Sequence, residues 1–499
     1  MDPRSDQNAA REREDRDLEQ AQPDHEKGGP EPSSKLVKWE GPDDPENPKN
    51  WTTSKKWMAV ITVSCFTFIS PASSSMVAPA LSTMAKEFHI HDEIESQIML
   101  SVFVLAYAVG PLFLGPLSEI YGRVPVLQLA NLFYLVFNVV GGVAKSKGQM
   151  IAFRFLAGLG GSAPLAIGGG VLSDVFTSDQ RGKAMAIYSL APLLGPAIGP
   201  IVGGFITENT SWSWIFYATS IADGVIQLVG LVCLRETYTP VLLKRKAKKL
   251  RKETGDPGYQ TEAEMSHDQT VLRTLRASLV RPFKLLTTQP IVQFIAVYMA
   301  FMYGLMYLVM STFPTLWTGP YNESIGIGSL NYIALGLGYW GGSQICALLN
   351  DRIYRRLKQR AGQGKPEFRV PLLVVAVVFT PIGLFIYGWT AQAHTHWIGP
   401  DIGACVFSIG IITAYQCMQT YIVDAYTRYA ASALAAVACL RSLAGFGFPL
   451  FAPYMYQALD YGWGNSLLAF VSIGLGLPAP IFLWLYGEKL RKMSTYAAG

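Results

Sequence analysis

The sequence predicts an all-α integral membrane protein: twelve transmembrane helices in two pseudo-symmetric six-helix halves. Three observations carry that reading. Composition is the first: half of the 499 residues are hydrophobic and only 15% are charged, against about 25% in an ordinary soluble domain. Segregation is the second. The stretches 57–85, 96–118, 124–144, 155–173, 184–207, 285–322, 324–350, 370–400, 402–423 and 461–487 contain no Asp, Glu, Lys or Arg. Those near 212–234 and 432–458 carry one charge each, Asp223 and Arg441. A helix of about 20 apolar residues crosses the roughly 30 Å hydrocarbon core, so these runs suffice. Repetition is the third. Gly115-Pro116-Leu117-Ser118-Glu119 and Tyr121-Gly122-Arg123 follow the second span, while Ala347-Leu348-Leu349-Asn350-Asp351 and Ile353-Tyr354-Arg355 follow the eighth. Asp174-Val175-Phe176-Thr177 closes the fourth span as Asp424-Ala425-Tyr426-Thr427 closes the tenth. Two matches at corresponding positions mark duplicated halves, the ground plan of a carrier that rocks about a central site.

In chain order, residues 1–56 read as a cytoplasmic tail, polar and largely disordered over the first 50, with no cleavable signal peptide. From Trp39 to Trp51 the prolines and tryptophans predict a stiffer approach to the membrane. The first six-helix half occupies 57–234 and the second 289–487, and 488–499 is a short cytoplasmic tail. Between the halves, 235–288 is a basic loop containing Lys244-Arg245-Lys246-Ala247-Lys248-Lys249. It reads equally as an interfacial amphipathic helix drawn to anionic lipid or as a solvated basic linker.

Charge sets the topology. Ten Lys/Arg precede the first span, twelve lie in 235–284 and seven in 352–369, whereas the opposite side holds only Lys86, Lys145 and Lys147. The positive-inside rule therefore places both termini and the central loop in the cytoplasm. Topology accounts for the basic loop, so no nucleic-acid partner is expected. All six cysteines fall inside predicted spans, which argues against disulfides, and no metal-ligand spacing appears. Asn209-Thr210-Ser211 and Asn322-Glu323-Ser324 are glycosylation sequons on the outer side, close to the bilayer.

Gly115, Glu119, Gly122 and Arg123, with Asp174, Asp179 and Arg181, and with Asp351 and Asp424 in the second half, supply charges for an inner-face latch that holds one conformation. Gly115 is expected to allow close helix approach. The alternative is a set of static loop salt bridges of ordinary surface value. In helix five, Ala191, Gly195, Gly199 and Gly203 form one smooth face for close packing. Pro192, Pro196 and Pro200 beside them are expected to bend the helix.

On these residues the chain resembles the major facilitator superfamily over 57–487. Gly115-x-Leu117-Ser118-Glu119-x-x-Gly122-Arg123 looks like its loop 2–3 signature, and Arg154-x-x-x-Gly158-x-Gly160-Gly161 like its fourth-helix signature. Gly195-x-x-x-Gly199-Pro200-x-x-Gly203-Gly204 resembles the fifth-helix signature of drug:proton antiporters. The Asp44-Pro45-Glu46-Asn47-Pro48 approach, the Arg235-Glu236-Thr237-Tyr238 exit and Cys439-Leu440-Arg441-Ser442-Leu443 resemble the fungal twelve-span multidrug branch. Glu119 departs from the usual Asp, Ile120 and Val124 from basic residues, and Ala186 from Gly.

The resemblance implies the major facilitator fold and a cavity lined by helices one, four, seven and ten. Candidate substrate-binding residues are Ser73, Tyr107, Tyr188, Tyr298, Tyr303, Tyr307, Asn331, Tyr415, Gln416 and Gln419. Aromatic walls with scattered donors suit bulky amphipathic compounds. It also links the position of Arg154 to proton coupling. Charges inside the membrane are costly and usually functional, so Asp223 joins Arg154 as a coupling candidate, and Arg441 is the third such charge. The reading is a secondary active transporter exporting drugs, toxins or secondary metabolites by proton antiport. It works as a monomer in the plasma or vacuolar membrane, with no cofactor beyond the proton gradient. No nucleophile–base or metal constellation suggests an enzyme. A nutrient or polyamine importer of the same fold and a non-transporting sensor are the alternatives.

Overall fold

The computed structural model describes residues 35–41, 43–177, 181–265, 271–494 and 496. The disorder expected of 1–34 and the latch residue Asp179 lie outside the described residues, as does the side chain of Arg181. The chain divides into two units. In the smaller, β1 (Lys35–Leu36) pairs in parallel with β2 (Tyr259–Gln260). Lys35 bridges Asp256 at 3.0 Å, and Arg251 holds both the Tyr259 carbonyl and Glu264.

The larger unit is the helical bundle. α1 (Thr53–Met76) runs through a 3-10 turn, Ala78–Ala80, into Leu81–Glu87. α2 (Glu93–Tyr121) and α3 (Arg123–Gly141) follow, then α4, Lys147–Gly161 continued by Ala163–Val175. α5 (Arg181–Asn209) and α6 (Ser213–Cys233) complete the first half. The second contains α7 (Pro290–Thr318), α8 (Tyr332–Ala361), α9 (Leu373–Gln392) and α10 (Ile398–Ala425). The helix Ala430–Gly476 breaks at Asp460 (φ 53°) into α11 (430–459) and α12 (461–476), which continues as Pro478–Lys492. Aspartate is among the few non-glycine residues that enter this left-handed region readily.

Among the described residues ten helices are long and apolar enough to cross a membrane, and one of them, Ala430–Lys492, supplies two crossings at its 63 residues. The twelfth is α8, whose part up to Asn350 is free of charge but diluted by glycines, tyrosines and Gln344, and whose last turns, from Asp351, are strongly charged. Large apolar side chains on the flanks, such as Leu129 on α3, Leu228 and Val232 on α6 and Leu485 on α12, stand more than half exposed. Such a surface is stable only against lipid.

Local chemistry sets the helix ends. The Asp92 carboxylate accepts from the Ile94 N–H at 2.9 Å, with Glu93 and Glu95 in the first turn of α2, which suits the positive end of the helix dipole. α8 ends at Gly362 in the left-handed region (φ 76°), after Lys358 and Arg360 in its last turn. The approach from Trp39 is ordered as expected: Asp44 accepts from the N–H groups of Glu40 and Glu46, ahead of a 3-10 turn at Pro48–Asn50.

α5 runs from Arg181 to Asn209 as one helix in spite of Pro192, Pro196 and Pro200. Its smooth face lies against α1. A Cβ on Gly203 would stand 2.1 Å from the Met76 carbonyl oxygen, and one on Gly199 2.5 Å from that of Ala72. The backbones approach closely because these side chains are missing. The neighbouring face of α5 meets the second half, with Gly204 against Ser329 and Ala197 against Gly336. Below, the end of the bundle where α1 begins and α12 ends is called basal and the opposite end distal.

Candidate functional site

The two halves meet at a polar, aromatic seam between α1, α2, α4 and α7, α10, α11. Arg154 on α4 is 2% exposed. Its Nη2 donates to the Ser74 carbonyl at 2.9 Å and the Leu100 carbonyl at 3.2 Å, and its guanidinium lies 5.2 Å from the Phe103 ring centre. The Ser74 hydroxyl stands 3.4 Å from the Tyr307 hydroxyl on α7, so the contact crosses the halves. Tyr303 sits one turn before Tyr307, with ring centres 5.0 Å apart. Arg441 on α11 lies between the rings of Tyr303 and Tyr415, 5.0 and 5.1 Å from their centres, and donates to the Tyr415 hydroxyl. Neither arginine forms a salt bridge among the described residues. Gln416 donates to Ser343 on α8 at 3.0 Å, and Tyr415, Gln416 and Gln419 remain half-buried on one stripe of α10.

Of the substrate candidates, Tyr303, Tyr307, Tyr415, Gln416 and Gln419 therefore gather at or beside the seam. Tyr107 is spent on Ser70 at 2.6 Å, and Tyr188 donates to the Pro164 carbonyl at 3.0 Å. Three candidates have their contacts elsewhere. The Ser73 hydroxyl turns toward α3 and donates to Asn138. Tyr298 lies against α12, near Gly476. Asn331 precedes α8 at the distal end, where its amide donates to Glu323 and to the Gly328 carbonyl. Asp223 is fully buried between α3 and α6, its two oxygens each accepting from Asn131 at 3.0 Å. Both partners lie in the first half, and among the described residues no hydrogen bond or ion pair joins Asp223 to Arg154.

The latch residues form one cluster in each half, both at the basal end. Arg123 reaches Asp174 at 3.5 Å, Glu119 at 3.7 Å and the Ser118 hydroxyl at 2.7 Å. Glu236, which sequence reasoning quoted only as part of the exit segment, completes the cluster. Its carboxylate accepts from the Arg123 and Val124 N–H groups at the start of α3, and Tyr238 stacks 4.6 Å from the Arg123 guanidinium. Gly122 (φ 108°) is required here, since a Cβ would overlap the Glu236 carboxylate. Gly115 does not allow a close approach as expected; a Cβ there would meet nothing within 4 Å.

In the second half Asp351 and Asp424 are joined by Arg369, at 2.6 and 2.9 Å, and not by Arg355 of the repeated segment. Arg355 folds back on the Asp351 carbonyl, exposed. The signal for Arg369 was its position: it immediately precedes the charge-free run 370–400, as Arg123 precedes 124–144. A buried pair absent from the sequence reading, Glu367 and Arg491 at 3.1 Å, ties α12 to the start of α9.

Two six-helix halves closed around a central polar seam define a multi-pass membrane carrier of small molecules. The chain belongs to the Major Facilitator Superfamily, whose family model matches residues 63–449. The efflux pump vrtL of Penicillium aethiopicum is 52% identical over 93% of this chain and 92% of its own length. The efflux pump radE of Floropilus chiversii is 45% identical over 91% and 85%. Among solved structures, the xylose transporter XylE of E. coli, in a partially occluded inward open conformation, superposes with a TM-score of 0.62 at 14% identity. That match covers 87% of this chain and 98% of XylE and supports the fold alone.

Proposed function

We propose that this chain is a secondary active exporter of bulky amphipathic organic compounds, driven by proton entry. It acts as a monomer in the plasma membrane with both termini in the cytoplasm. The observation that carries the reading is the alignment over nine-tenths of the chain with relatives named efflux pumps. The concentration of Lys and Arg at the basal end supports a cytoplasmic orientation for it, and the half-buried aromatic and amide stripe at the seam suits amphipathic cargo. Arg154, buried and, among the described residues, hydrogen-bonded only to carbonyls of α1 and α2, is the group proposed for coupling, and the two basal clusters are proposed to hold the halves' inner ends.

Everted plasma-membrane vesicles with an acid interior provide the test, using a panel of structurally different aromatic compounds. Accumulation that a protonophore abolishes is expected. Accumulation indifferent to the protonophore removes proton coupling. Uptake by intact cells in place of vesicle accumulation makes the chain an importer.

A further inference from the structure

Arg154 on α4 and Arg441 on α11 both lack a counter-charge among the described residues, and in both the Nε is buried without a hydrogen-bond partner; they differ in exposure and in what surrounds them. Arg154 is fully enclosed and its Nη2 is spent on two main-chain carbonyls. Arg441 is half-buried, its only hydrogen bond among the described residues goes to the Tyr415 hydroxyl, and its two neighbouring rings are those of Tyr303 and Tyr415. A guanidinium drawn partly out of water without a counter-charge loses hydration, and aromatic faces return only part of it.

The duplication sharpens the point. Setting Asp424 opposite Asp174, as in the repeated segments, also sets Gly445 opposite Gly195, and the residue of α5 that then corresponds to Arg441 is Ala191. The half-buried stripe of α10 likewise corresponds to Leu165, Ala166 and Gly169 on α4, half-buried themselves. The surface of the first half that corresponds to the Arg441 site is thus apolar, made of Leu165, Ala166, Gly169 and Ala191. The second half presents a cation framed by two tyrosines and flanked by amides.

We propose that Arg441 is the anchor for an acidic group on the transported compound, a carboxylate or an ionised enol or phenol conjugated to a flat ring system. The acid meets the free edge of the guanidinium, Tyr303 and Tyr415 bracket the adjoining ring, and the apolar remainder lies against the apolar surface of α4. This deepens the exporter reading and rests on it for the word transported, but the anion site itself is a matter of binding.

The test is therefore made on binding. Purified full-length protein in detergent is titrated with anthracene-2-carboxylate and with its methyl ester, following thermal unfolding. The acid is expected to bind about tenfold or more tighter than the ester. In Arg441→Gln the preference falls to within about twofold, and in Arg441→Lys, which keeps charge without the fork, part of it returns. Equal affinities in the unmutated protein, no stabilisation by either compound, or an acid preference retained in Arg441→Gln overturns the proposal. The acid–ester comparison needs no variant, so misfolding of a mutant does not blunt it. If the preference holds while everted vesicles accumulate nothing, the exporter reading fails and the anion site stands.

Discussion

Arg369 does the work in the second half that Arg123 does in the first, and the consequences can be separated residue by residue. Its contact with Asp351 reaches an exposed carboxylate and contributes little. Its contact with Asp424 at 2.9 Å is the more sheltered arm, the Asp424 side chain being 31% exposed against 68% for Asp351. Arg369→Ala is expected to destabilise the protein by about 1 kcal/mol, seen as a lower unfolding temperature in detergent. Arg355→Ala, which removes only a hydrogen bond to its own helix, should leave that temperature unchanged. Equal effects of the two would show that the repeated segment, and not Arg369, organises the cluster. The repeat made Asp351 and Asp424 legible because spacing along one helix survives duplication. It did not reveal their arginine, because α8 runs on to Ala361 and a 3-10 turn, Pro366–Arg369, delivers the cation from the far side of a longer loop.

For α5 the physical content of the glycine spacing is the distance between two backbones. The side of the helix carrying Gly195, Gly199 and Gly203 was readable from the sequence, since a four-residue period of small side chains has one use in a membrane. What it packs against was not, because the partner, α1, presents carbonyl oxygens of Ala72 and Met76 that no residue pattern announces. Gly203→Val is expected to force α1 and α5 apart, because main chain cannot yield as a flexible side chain does. A cost of about 1–3 kcal/mol is typical of overpacking, and transport should fall with it while the protein still reaches the membrane. Gly224→Val on α6, where a Cβ meets nothing within 4 Å, is the matched control. If both variants transport equally, the close approach of α5 to α1 is not needed for function.

At the scale of the whole molecule, the question is which end of the seam is closed. Among the described residues the hydrogen bonds between the halves lie at mid-depth or at the distal end. Ser74 meets Tyr307, Tyr454 donates to Asp92 at 2.9 Å, Gln457 donates to Glu93 at 2.9 Å, and Glu208 accepts from the Gly326 N–H at 2.6 Å. Twelve spans and two halves were legible from charge segregation alone, whereas these distal contacts join residues more than one hundred positions apart and leave no local pattern. The Tyr454 and Gln457 bonds are exposed and the Glu208 bond is part-buried; polar bonds of small individual value suit a gate whose two states differ by only a few kcal/mol. Alternating access requires the distal bonds to break once per cycle. In a background without the native cysteines, Asp92→Cys with Tyr454→Cys should be bridged readily by a short bis-methanethiosulfonate reagent, since their side chains meet in this state. Bridging is expected to lower transport at least tenfold, and reduction of the linkage to restore it. Full transport in quantitatively bridged protein would mean that α2 and α11 stay together throughout, and that substrate leaves by a route other than the distal end of the seam.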